Sequence, residues 1–131
     1  MDFSGKTILI TGGTGSFGKA CTRHLLDTAD PHAIRVFSRD ELKQTEMEAD
    51  YRDERLRFLI GDVRDRERLE RATRGVDLII HAAALKHVPV CEYNPFEAVQ
   101  TNVIGAENVV AAAIRNDVPR TMFLSTDKAV N

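Results

Sequence analysis

Thr7-Ile8-Leu9-Ile10-Thr11-Gly12-Gly13-Thr14-Gly15-Ser16-Phe17-Gly18 is the stretch on which the fold turns. The apolar, β-branched run Thr7 to Ile10 reads as a buried strand. A glycine turn that leads from a strand into a helix builds a cradle for phosphate. Gly12 suits the tight turn, Gly15 lets the backbone approach a pyrophosphate, and Gly18 allows close packing of helix and strand. The free N–H groups of Thr14, Ser16 and Phe17, at and just before the helix start, then face the anion. Spacing alone is weak evidence, but here the glycines sit in the strand-turn-helix context that gives them meaning.

Outward from this stretch, strand and helix patterns alternate. The second strand is read at residues 34–37, the third at 56–60, the fourth at 77–81 and the fifth at 121–124. Helices are expected over 16–28, 41–51 and 64–73, with a longer one starting near Asn94-Pro95, where Asn serves as cap and Pro is tolerated in the first turn. Asp40 or Ser38 is a candidate cap for the second helix, and Gly75 is read as the C-terminal glycine of the third. Val99, Val103, Val109, Val110 and Ala113 recur near helical spacing in the last. Five strands joined by helical crossovers imply an α/β fold, a Rossmann-type doubly wound parallel sheet ordered 3-2-1-4-5.

The 131 residues suit one domain, with 43% hydrophobic and 29% charged residues, as in ordinary globular proteins. A net charge of -2 without a block of one sign argues against nucleic acid or an anionic membrane surface as partner. The dense run Arg64 to Arg71 is mixed in sign and reads as a solvated helix face, with Glu67 and Arg71 paired. Two cysteines make no disulfide framework; Cys21 is expected to pack as a small apolar residue, and Cys91 has no neighbour with metal-ligand spacing. The polar N-terminus lacks the pattern of a signal peptide, no segment has the length to span a bilayer, and the cytoplasm is the expected compartment.

In such sheets ligands bind beyond the carboxyl ends of the strands. The second strand ends in Ser38-Arg39-Asp40, where an NAD site usually places an acid for the ribose 2′-hydroxyl. A hydroxyl and a guanidinium come first here, with Lys43 close behind, and both groups suit a 2′-phosphate; NADP is therefore the expected cofactor. Asp62, after the third strand, reads equally as an acceptor for the adenine amino group, with Val63 against the ring, or as a turn residue. Ala82, Ala83 and Ala84 leave room for a flat cofactor, or simply pack closely. His81 reads as a strand residue rather than a base. Lys86 suits the cofactor, an anionic substrate or solvent. Asn102 is an unfavourable mid-helix residue, which hints at a task near the site. After the fifth strand, Thr126, Asp127 and Lys128 offer a hydroxyl, an acid and an amine in sequence, although a helix cap beside a solvated Lys fits the same residues.

The glycine turn, Ser38 to Lys43, Gly61 to Asp65, His81 to Lys86 and Ser125 to Ala129 occur together and in order. Jointly they resemble the extended short-chain dehydrogenase/reductase superfamily, and within it the inverting UDP-N-acetylglucosamine 4,6-dehydratases of bacterial surface-glycan and flagellin-sugar biosynthesis. The resemblance implies a redox-neutral lyase cycle in which hydride leaves sugar C4 for NADP and returns at C6. Lys128 would take the C5 proton, Asp127 would assist loss of the C6 hydroxyl, and Thr126 would polarise the C4 oxygen. It also implies a homo-oligomer in the full-length protein. Members of that family extend well beyond the last residue here and carry a Tyr-x-x-x-Lys pair, or a Met in place of the Tyr, and a smaller domain for the UDP-sugar. The chain is therefore expected to be the N-terminal cofactor domain, inactive alone. A UDP-hexose 4-epimerase or oxidoreductase, and a non-catalytic NADP(H)-binding module, are the alternatives. Arg39→Ala is expected to weaken NADP(H) by roughly tenfold or more while leaving NAD(H) nearly unchanged; calorimetric titration with both cofactors checks it, and equal losses would remove the 2′-phosphate contact.

Overall fold

A computed structural model describes residues 2–83 and 95–124. Five strands, β1 (Thr7–Thr11), β2 (Ala33–Ser38), β3 (Leu56–Ile60), β4 (Leu78–His81) and β5 (Arg120–Phe123), form one sheet ordered β3-β2-β1-β4-β5. Every pairing is parallel. The helices are α1 (Ser16–Thr28), α2 (Glu41–Tyr51), α3 (Arg66–Ala72) and α4 (Pro95–Arg115). The chain thus has the expected Rossmann-type order. All five residues of β1 are buried, because helices cover the sheet on both sides.

Alternation along the strands divides the core in two. Ile8, Ile10, Ile34, Val36 and Ile80 pack with Leu25 and Leu26 of α1 and Met47 of α2. Leu9, Phe37 and Ile79 face the other way, onto Leu69 of α3 and Val109 and Ala112 of α4. Cys21 is half-buried beside the first cluster, where burial pushes its thiol pKa up. It packs as the small apolar residue expected. The edges of this core are set by polar anchors. Asp77 accepts the N–H of Thr7 at 2.9 Å and pins the entry of β1. Asn116 donates to Thr73 Oγ1 at 2.7 Å and to Glu70 O at 2.9 Å, tying the end of α4 to the end of α3.

Both ends of the third helix differ from expectation. The third helix starts at Arg66, two residues later than its composition suggests. Asp62 turns the chain first, accepting the N–H of Arg64 at 2.9 Å, and Asp65 then caps the helix by accepting the N–H of Arg68 at 3.1 Å. Gly75 is not the helix cap: Thr73 holds that position, and Gly75, at φ +73°, belongs to the turn closed by Val76 N–H and Thr73 O. The apolar residues of α4 do not share one face. Val109 and Ala113 are buried, whereas Val103, Val110 and Ile114 are exposed.

The mixed-charge run behaves as a solvated face, with Arg66–Glu70 at 3.2 Å and Glu67–Arg71 at 3.6 Å. Because Leu9 is fully buried in the central strand, Leu9→Ala is expected to cost about 2–5 kcal/mol of stability, read from the denaturant midpoint.

Candidate functional site

The carboxyl ends of β1 to β4 surround a cleft of about 960 Å³, a volume suited to a cofactor. Its floor is the turn after β1. Gly12 has φ +63°, and a Cβ there would stand 2.9 Å from the Ala82 and Ala83 backbone. The turn closes with the N–H of Gly15 donating to Gly12 O at 3.1 Å. Gly18 lies against the turn itself: a Cβ on it would meet Gly12 O and Gly13 Cα at 2.6 Å. Gly15 differs from both. Its φ is an ordinary −76°, and a Cβ would come no nearer than 3.4 Å to another part of the chain. Packing against the rest of the described chain does not demand glycine there.

Gly15 is the N-cap of α1, with no side-chain hydrogen bond at the cap and no acid in the first turn. The amides of Ser16, Phe17 and Gly18 precede the first helical bond, from Lys19 N–H to Gly15 O. The positive end of the helix is thus left to the cleft, which Thr14, Ser16 and Phe17 also line. Thr14 is buried; Ser16 and Phe17 are exposed.

The β2 end forms one wall. Ser38 is buried, and its Oγ accepts from Gln44 Nε2 at 2.9 Å, which leaves the hydroxyl proton to donate. The Asp40 carboxylate accepts the N–H of Lys43 at 3.0 Å and caps α2. Of the two caps considered from sequence, Asp40 is the one used. Arg39 is exposed and lies 3.8 Å from Asp62, and Lys43 completes the rim.

Opposite, Asp62 serves as the turn residue and also grips Arg64, whose Nη2 donates to Oδ2 at 2.7 Å and Nε to both oxygens. The hydrogen-bonded Arg64 guanidinium holds the Asp62 carboxyl below the usual carboxylate range, with a smaller contribution from Arg39. Val63 is buried under Gly105 while still lining the cleft, and its carbonyl accepts from Asn108 Nδ2 at 2.9 Å.

Ala82 and Ala83 close the cleft from β4, and Asn102 enters from α4. The site residues read from sequence in the described part of the chain therefore meet around one cavity. Ala84, Lys86, Thr126, Asp127 and Lys128 lie outside the described residues. Sequence reasoning missed Phe37, Glu41, Gly61 and Arg64, which share the lining. A sequence signal existed for Gly61, which directly precedes the turn acid; in the fold it lies under the Phe37 ring, where a Cβ would meet ring carbons at 2.5 and 2.6 Å.

Residues 8–131 match the model of a family described as polysaccharide biosynthesis protein. The chain belongs to that family. It is 57% identical over 129 residues to an inverting UDP-N-acetylglucosamine 4,6-dehydratase from Campylobacter jejuni, with 98% of this chain and 39% of the relative covered. It is 53% identical over 131 residues to a UDP-glucose 4-epimerase from Rickettsia akari, again covering 98% of this chain and 38% of the relative. Among solved structures, Pen from Bacillus thuringiensis matches with TM-score 0.88 and 46% identity, over 94% of this chain and 38% of that one. A dTDP-glucose 4,6-dehydratase from Streptomyces venezuelae with NAD bound matches with TM-score 0.75 and 33% identity, over 87% and 37%. This member of the family therefore spans well under half the length of the relatives it matches, and the likeness to inverting dehydratases runs along nearly all of it.

The glycines separate binding from stability. Gly15→Ala is expected to shift unfolding by no more than about 1 kcal/mol yet weaken dinucleotide binding at least tenfold. Gly18→Ala is expected to destabilise the chain by about 1–3 kcal/mol through backbone overlap. Thermal melts with and without dinucleotide distinguish the two.

Proposed function

We propose that this chain is the dinucleotide-binding part of a nucleotide-sugar 4,6-dehydratase that acts on UDP-N-acetylglucosamine with NADP. The bare N-terminus of α1 above Gly15 carries the reading: amides that precede the first helical bond, no acid in the first turn, and a glycine that packing inside the protein does not require. The rim supports NADP over NAD. Asp40, the acid near the ribose position, is committed to capping α2. Ser38 keeps a donor proton, and Arg39 and Lys43 bring positive charge to the same end of the cleft.

Bound in the cleft, the nicotinamide would supply reversible hydride exchange with the sugar. The chain supplies the rest. Ser16 and Phe17 offer backbone donors to the pyrophosphate, and Gly15 lets the backbone approach it. Ala82, Ala83 and Ala84 give a small-side-chain wall, and Asp62 and Val63 border the adenine end, where Arg64 limits the acceptor capacity Asp62 has left for the base. Lys86 and Asn102 complete the cofactor contacts. Thr126 polarises the C4 oxygen, whose hydroxyl proton passes to a base in a further part of the protein. Lys128 removes the C5 proton acidified by the C4 ketone, Asp127 protonates the departing C6 hydroxyl, and C5 is reprotonated on the opposite face. Two protons thus leave the sugar, two are given to it and one water departs. A further part of the protein grips the UDP-sugar. The full-length protein assembles as a homo-oligomer and works in the cytoplasm. Among the described residues no helix is long and apolar enough to cross a membrane.

A second reading, a UDP-hexose 4-epimerase, is favoured by the similar identity to the Rickettsia relative. Mass spectrometry discriminates between them. The complete gene product incubated with UDP-N-acetylglucosamine is expected to yield a nucleotide sugar lighter by one water, with no net change in cofactor redox state. A product of unchanged mass and inverted C4 would establish the epimerase instead. The 131-residue chain alone is expected to bind the cofactor and form neither product.

A further inference from the structure

One polar link between the central strands is not used by this reading. Thr11 ends β1, His81 ends β4, and the two are register partners. Both are buried, and Thr11 Oγ1 lies 2.7 Å from His81 Nδ1. The same oxygen accepts the N–H of Ala82 at 3.0 Å and of Ala83 at 3.2 Å. Ala82 has a second acceptor in Thr11 O, at 3.2 Å. The Ala83 N–H, among the described residues, is held by the hydroxyl alone.

Two amide donors occupy the hydroxyl's acceptor sites, so its own proton remains to be given. The nearby ring nitrogen then has to accept it. That assigns His81 as a neutral imidazole with its proton on Nε2. A donor at Nδ1 would put a third proton on the same oxygen and leave the hydroxyl proton without a partner. The surroundings fit a neutral ring. Phe123 meets it edge-on, with ring centroids 5.6 Å apart and planes at 77°. Burial also lowers the imidazole pKa.

The amides fixed in this way belong to the wall that Gly12 packs against, with only 2.9 Å between a Cβ position and that backbone. We propose that His81 is a positioning residue: by accepting the Thr11 hydroxyl proton it orients that hydroxyl to hold the Ala82–Ala83 backbone, and so keeps the glycine turn shaped for the dinucleotide. The proposal rests on the dinucleotide reading of the cleft. The link is neutral and lies outside the phosphate cradle itself.

The test uses the complete gene product and two paired sets of variants, titrated with NADP+. Thr11→Val and His81→Leu are expected to weaken binding on the order of tenfold, because the Ala83 amide loses its acceptor or the acceptor loses its orientation. Thr11→Ser and His81→Asn, whose Oδ1 can stand in for Nδ1, are expected to stay within about threefold of the parent. Long-range proton–nitrogen NMR of the parent is expected to show His81 as the Nε2–H tautomer at neutral pH, with or without cofactor. A folded Thr11→Val or His81→Leu protein that binds like the parent overturns the proposal, as does a His81 ring protonated on Nδ1. If His81→Leu fails to fold, Thr11→Val and the tautomer still decide. A parent protein that binds no dinucleotide overturns the underlying reading instead, and the NMR spectrum then judges the Thr11–His81 wiring separately.

Discussion

The structure depends on a backbone-to-backbone contact. At Gly12 the chain leaves β1 in a left-handed turn that lies against the Ala82–Ala83 backbone, closer than any side chain permits. The contact joins the two central strands at their carboxyl ends and sets where α1 begins. A Cβ at Gly12 or Gly18 would push the helix from the sheet. With glycine at both positions, the first turn of α1 is delivered to the cleft with its amides unspent. The same geometry that packs the chain therefore opens the positive end of the helix to the cleft.

Around this point the sheet acts as a rigid frame. β1 is buried throughout, and its neighbours bring Ser38 and His81 to the same edge as the glycine turn. The cleft that results is uneven in charge. One end carries Arg39, Lys43 and Arg64, with Asp62 held between two guanidinium groups and Asp40 turned onto its helix. The other end, at Ala82 and Ala83, has small side chains and backbone. An elongated ligand with one anionic end and one flat, uncharged end would match this division. Kinship with a dehydratase and an epimerase is consistent with one cofactor platform serving several nucleotide-sugar reactions, since chemistry is set by the groups placed over it.

Much of this was legible in the amino-acid sequence because the signals were local. Apolar runs gave the strands, glycine spacing gave the turn, and topology placed the strand ends together. What was not legible depended on contacts between distant residues. Thr11 and His81 are seventy positions apart, and nothing in either neighbourhood announces that they share a proton. Asn108 binding the Val63 carbonyl is similar. The displaced start of α3 had a different cause. Asp62 and Asp65 both suit a cap, and only the turn at Asp62 decides that the later one is used. The split faces of α4 escaped because valine spacing indicates a helix without telling which side meets the sheet. The Thr126–Lys128 trio is read from its residue types after the fifth strand and from the resemblance.

The most direct measurement follows the backbone amides of the glycine turn by NMR while NADP+ is added. A pyrophosphate held on the helix start should move the Ser16 and Phe17 N–H signals most, saturating together with those of Ala82 and Ala83. Signals at the turn that stay fixed while the cofactor binds elsewhere, or does not bind at all, would contradict the assignment of this cleft.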